Sequence, residues 1–178
     1  MITTGLLASA GADGLSSMWR IELLHPAVVH FSVALTVVGS LFYLVGLLGS
    51  SYPACQSFRL TAWWLLLLAC LASWASLQTG FWADHAVGRE LFDPRPLKDH
   101  ERFGLGFSWV LSATVLVEGL RLFVSRLRSY RKYLTLLVMI GLVASCGLVA
   151  WTSHLGAGLV YQQGAGVQMP SEVNESRD

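Results

Sequence analysis

The residues of this chain best suited to chemistry are five histidines: His25, His30, His85, His100 and His154. All lie in or beside long hydrophobic segments. Threading those segments across a membrane brings all five to one face. Imidazole is expensive to place in lipid, and it is the usual axial ligand of a membrane-buried haem iron. A one-sided histidine cluster in a small helical membrane protein therefore points to a b-type haem. The plainer alternative is a set of interfacial hydrogen-bonding anchors.

Depth separates the five. His25 immediately precedes Pro26 at the mouth of the first apolar run, and His30 lies roughly 6–8 Å further in. His154 stands at the outer end of the last run, His100 just before the third, and His85 just after the second. His25 and His30 are about 140° apart around a helix, so they do not suit one metal together. They fit two cofactors, or one ligand and one supporting group. His85, in a polar segment, is the expected bystander.

A haem also needs an apolar slot and cations near its propionates. Phe31, Phe103, Phe107 and Trp109 are candidate walls, and Arg89, Arg95, Lys98 and Arg102 are candidate partners. Gly104, Gly106, Gly156 and Gly158 remove bulk where a flat ring or a helix approaches. Ordinary small-residue helix contacts and solvated arginines are the simpler readings of the same residues. Glu118 sits in the inner half of the third run, and Arg121 is placed to pair with it on the same helix face.

The elements that carry these groups follow from composition. The 178 residues are 54% hydrophobic and 13% charged, with mean hydropathy +0.55. A soluble domain carries nearly twice that charge fraction. The formal net charge of +1 gives no sign of nucleic-acid binding. Four spans are expected, at about Pro26–Gly49, Leu60–Phe81, Gly104–Val124 and Tyr133–Leu155, each long enough to cross ~30 Å of hydrocarbon. Trp63, Trp64, Phe81, Trp82, Trp109 and Trp151 lie near span ends, as an aromatic belt does. The fold class is thus all-α integral membrane, a four-helix antiparallel bundle. Residues 1–25 form an N-terminal segment, with a short interfacial helix at 16–24 that includes Trp19. Residues 26–163 form the bundle and 164–178 a polar tail, disordered from Gln168. The segment 82–103 reads as one long charged loop, because Pro94 and Pro96 disfavour regular structure.

Arg59, Arg121, Arg126, Arg128, Arg131 and Lys132 lie on one face, in two compact loops. Arg20, Arg89, Arg95, Lys98, Arg102 and Arg177 lie on the other, diluted by Asp84, Glu90, Asp93, Asp99 and Glu101. Compact basic loops control topology best, so both termini are expected in the periplasm, with the chain in a bacterial inner membrane. No cleavable signal is evident at the start. Cys55, Cys70 and Cys146 read as small apolar fillers, and the lack of CxxCH excludes covalent c-type attachment through that motif. No nucleophile triad, catalytic carboxylate pair or nucleotide loop is evident.

Several stretches together resemble one bacterial family: HPAVVHF at 25–31, GFWAD at 80–84, the lone His100, and HLGAGLVYQQGAGV at 154–167. The chain resembles, over roughly residues 23–167, the four-span membrane proteins catalogued as domain of unknown function 2231. The resemblance implies a four-helix membrane bundle, often encoded beside respiratory or c-type cytochrome components. Its motif histidines fall on His25, His30 and His100. Where the family commonly has a histidine in LVYxHG this chain has Gln163, and His154 appears before the glycines instead.

The resulting expectation is a b-type cytochrome subunit with one haem b, or two. The ligands come from His30, His100, His154 and His25, with Arg102 and Phe31 at the cofactor. Electrons pass between a membrane redox complex and a periplasmic cytochrome c. The alternatives are a cofactor-free accessory subunit of a larger respiratory or photosynthetic complex, and a copper or zinc site at the periplasmic face.

Overall fold

The computed structural model describes residues 20–167, and over these the chain is an all-α four-helix membrane bundle. Helix α1 spans Leu24–Leu48, α2 Pro53–Val87, α3 Arg95–Phe123 and α4 Arg131–Gln163. Short 3-10 turns cover Ile21–Leu23, Gly88–Glu90 and Ser125–Tyr130. Each of the four apolar segments is long enough to cross a membrane. Of the interfacial helix expected at 16–24, residues 16–19 lie outside the described residues, Ile21–Leu23 form a 3-10 turn, and Leu24 already begins α1. Trp19 and the tail from Gln168 lie outside the described residues.

The expected loop at 82–103 is not a loop. Helix α2 runs on to Val87, α3 begins at Arg95, and only a seven-residue connection separates them. At 35 residues α2 is roughly 50 Å long, well beyond the ~30 Å hydrocarbon layer, so polar residues extend the helix outside lipid. Pro94 and Pro96 do not break structure here. They occupy the N-cap and first turn of α3, where a missing N–H costs little. Asp93 helps start that helix, its Oδ1 accepting from the Arg95 N–H at 3.0 Å. The Arg95 guanidinium beside it holds the Asp93 carboxyl below its usual range.

Lipid gives no hydrophobic drive for one helix to join another, so close packing and satisfied polar groups must hold the bundle. The buried stripe of α1 is accordingly Ser32, Thr36, Gly39, Tyr43 and Gly46. A Cβ on Gly39 would lie 2.9 Å from the Leu66 side chain, so α1 and α2 approach as glycine allows. Buried hydroxyls return to carbonyls one turn back, as in Thr36 to Ser32 at 2.7 Å and Ser76 to Ala72 at 2.8 Å. Helix α4 ends at Gly164, whose φ of 68° suits glycine. The N–H groups of Gly164 and Ala165 close on the Val160 and Leu159 carbonyls. Beyond it, the Gly166 carbonyl accepts from Arg20 at 2.7 Å, tying the two chain ends of the bundle together.

The two hairpins, α1–α2 and α3–α4, repeat one another. Shifting Ser32, Thr36, Gly39, Tyr43 and Gly46 by 75 positions gives Phe107, Leu111, Thr114, Glu118 and Arg121, all buried in α3. Shifting Ala62, Leu66, Ala69 and Ser73 by 76 gives Val138, Leu142, Ser145 and Val149, all buried in α4. The chain is thus a tandem pair of like-oriented helical hairpins, an arrangement known in other membrane folds. Residue types differ at nearly every matched position, so the repeat lies in burial rather than identity.

Of the expected aromatic belt, Trp64, Phe81, Trp82, Trp109 and Trp151 are exposed toward the bilayer. Trp63 instead turns inward, where its Nε1 donates to the Val115 carbonyl at 3.1 Å. All three cysteines are free thiols at half-buried positions.

Candidate functional site

The repeat brings His25 and His100 to equivalent places, and they meet. Their ring centroids are 5.9 Å apart with planes at 90°. His25 comes from the first turn of α1 and His100 from the first two turns of α3. Each ring leans on the other helix of its own hairpin. His25 Nδ1 donates to the Ser76 carbonyl at 2.9 Å, with Thr79 Oγ1 at 3.4 Å. His100 Nδ1 donates to the Thr152 carbonyl at 2.9 Å.

In both cases a glycine one turn beyond the carbonyl makes room. A Cβ on Gly80 would sit 3.2 Å from His25 Cε1, and one on Gly156 would sit 3.0 Å from His100 Cε1. So the two histidines share a carbonyl anchor, a glycine cradle and a place in the repeat. A carbonyl only accepts, so each Nδ1 carries the ring proton and each Nε2 keeps its lone pair. Donation of the second ring N–H to a backbone carbonyl is how metal-ligating histidines are held.

The remaining histidines are elsewhere. His30 is exposed on the outside of α1, and its Nδ1 donates to the Pro26 carbonyl of its own helix. His154 is exposed on α4, its ring 5.7 Å from Trp151. It lines an open cavity of about 350 Å³ with Pro96, Gly158 and Tyr161. His85 is exposed on the extension of α2. Phe31 is 66% exposed on the bilayer side of α1, and Arg102 is exposed on α3. Phe107 belongs to the bundle core, Trp109 packs on Trp74 outside it, and Phe103 packs on Trp151. Of the four glycines singled out, Gly156 faces a histidine, Gly104 faces Thr152 and Leu77, Gly158 faces only the Gln162 side chain, and Gly106 faces open space.

Gln163 fills the place of the expected family histidine, and its Oε1 accepts from the Asp93 N–H at 3.0 Å. It fastens the α2–α3 connection over the end of α4. Ser76, Thr79 and Thr152, which help position the histidine pair, carry no motif of their own, whereas Gly80 opens the GFWAD stretch. The 75- and 76-residue offsets are the signal that finds them.

Among the described residues, no three His, Cys, Asp or Glu side chains converge as a metal-binding group. The pair supplies two imidazoles and no carboxylate or thiolate. That donor set suits a metal whose other ligands come from elsewhere, as a porphyrin supplies them.

The opposite end of the bundle holds a second polar cluster. Glu118 is fully buried and binds the Arg121 guanidinium through two hydrogen bonds of 2.5 Å. Arg59 reaches the same carboxylate at 3.8 Å and donates to the Tyr43 hydroxyl at 2.8 Å. The pairing of Glu118 with Arg121 is the one the sequence spacing implies.

No curated protein and no solved structure matches the chain. A model of a predicted membrane protein family, DUF2231, matches residues 22–169. That span takes in all four helices and both members of the histidine pair, and the chain belongs to this family of four-span membrane proteins.

Proposed function

We propose that this protein is an electron-transfer subunit in which His25 and His100, at one end of the bundle, would hold the iron of a b-type haem. The observation that carries the reading is the matched anchoring of two imidazoles by the Ser76 and Thr152 carbonyls. Such anchoring fixes the tautomer and the ring orientation before any ligand arrives. Haem bound there would supply a one-electron iron couple. The chain's own part is to hold both Nε2 lone pairs in place and to keep the half-buried rings out of bulk water.

The same reading places the histidine end on the periplasmic side of a bacterial inner membrane, with both termini there. The support is the basic composition of the other end, where Arg59, Arg121, Arg126, Arg128, Arg131 and Lys132 face Glu118 alone among the described residues. The outer rim carries both charge signs on helix ends, including the Arg95–Asp93 and Lys98–Glu101 pairs. A soluble cytochrome c that docks on such a rim would exchange electrons at a rate that falls with salt.

The test is the visible spectrum of the purified protein, oxidised and dithionite-reduced, with extraction of the pigment. A sharp reduced α-band and extractable haem b are expected. A colourless, metal-free preparation from haem-replete cells would favour the accessory-subunit reading, and zinc or copper without haem would favour a metal site.

A further inference from the structure

At the end of the bundle away from the histidine pair, a shallow recess of about 360 Å³ lies open to the surface. It is lined by Leu47 of α1, Arg59 of α2, Arg121 of α3, and Arg131, Lys132 and Thr135 of α4. Four basic residues therefore line one space. Glu118 is the nearby carboxylate, and Arg121 takes both its oxygens. One negative charge against four positive leaves the cavity strongly cationic. Arg131 and Lys132 make no ion pair among the described residues. The Arg59 Nε is buried without a hydrogen-bond partner. The N-terminus of α4 opens beside it with no acid in its first turn, which adds further positive potential.

Bringing like charges together costs free energy unless an anion offsets it, and guanidinium and ammonium groups match phosphate oxygens well. We propose that this cavity binds a phosphate group through Arg59, Arg131 and Lys132, borne either by an anionic lipid headgroup or by a free phosphate. The carboxylate of Glu118 keeps Arg121 as a fixed wall rather than a ligand. Leu47 forms an apolar side, and the bilayer-facing Leu48, Tyr133 and Leu136 nearby are all at least 60% exposed. An acyl chain has a surface to follow out of the cavity. Basic pockets between transmembrane helices are known to take such headgroups. The proposal is independent of the haem assignment.

Native mass spectrometry of the full chain in detergent tests it. Dioleoylphosphatidylglycerol, dioleoylphosphatidylcholine and inorganic phosphate are titrated separately, with melting temperature as a second readout. The wild type should retain phosphatidylglycerol over phosphatidylcholine. The double variant Arg131→Gln/Lys132→Gln should weaken that retention by roughly thirty-fold, from about 1 kcal/mol per basic side chain. Both side chains are exposed, so the lipid-free melting temperature should not change. The control Arg126→Gln/Arg128→Gln removes equal charge outside the cavity and should leave retention intact. Stabilisation by inorganic phosphate that is lost in the first variant alone assigns a free phosphate instead of a lipid. Equal retention of both lipids with no effect of phosphate overturns the proposal. So does an equal loss in both double variants, which would mean diffuse surface charge.

Discussion

The two ends of this bundle use one repeated scaffold in opposite ways. At the histidine end the two hairpins agree: His25 matches His100, the Ser76 carbonyl matches that of Thr152, and Gly80 matches Gly156. At the basic end they disagree. Tyr43 stands where α3 has Glu118, Gly46 where it has Arg121, and Arg59 where α4 has Thr135. The first arrangement brings two identical, identically anchored rings into contact. The second links unlike groups, a carboxylate, two guanidiniums and a phenol, into one network. Matched positions thus hold like groups at one end and pair unlike charges at the other.

The difference can be broken from either side. The largest effect on stability belongs to the basic end. Glu118→Gln leaves Arg121 buried without its countercharge, a change that costs about 3–5 kcal/mol. Thermal unfolding in detergent should show a large drop, while any folded fraction keeps the spectrum of the histidine end. An unchanged melting temperature would mean that water, not the carboxylate, solvates Arg121.

A smaller effect is expected at the glycine cradles. Gly156→Ala places a methyl 3.0 Å from the His100 ring, and Gly80→Ala places one 3.2 Å from the His25 ring. Each must move its imidazole by a few tenths of an ångström. Both variants should shift the reduced spectrum or the midpoint potential, Gly156→Ala more than Gly80→Ala. Wild-type values in both would show that the rings are not held by these contacts. The smallest effect concerns the repeat itself. Ser145 has a buried hydroxyl without a partner, and its match in the first hairpin is Ala69. Ser145→Ala should be neutral or stabilising by up to about 1 kcal/mol in the same unfolding assay. A clear loss of stability would show that the two positions are not equivalent.

Much of this architecture was legible in the sequence. Long apolar runs mark the four spans, and a spacing of three puts Glu118 beside Arg121. The 140° separation of His25 and His30 is reflected in one half-buried ring and one exposed ring. The 82–103 segment misled because hydropathy registers lipid, not helix: α2 and α3 continue as polar helices beyond the membrane. Prolines read as breakers serve there as helix starters. The positioning residues of the histidine pair were hidden for another reason. A carbonyl anchor leaves no trace in residue type, since Ser76 and Thr152 act through their backbone. Only the spacing of burial across the two hairpins reveals them.

The central claim is that His25 and His100 together ligate one haem iron. Single variants His25→Ala, His100→Ala, His30→Ala and His154→Ala, purified from haem-replete cells, test it through the reduced-minus-oxidised spectrum and haem content per chain. The account predicts that the α-band collapses in His25→Ala and in His100→Ala. It predicts that at least one haem per chain, with its α-band, persists in His30→Ala and His154→Ala. Retention of the full band in both His25→Ala and His100→Ala, or its loss in His30→Ala alone, would contradict it.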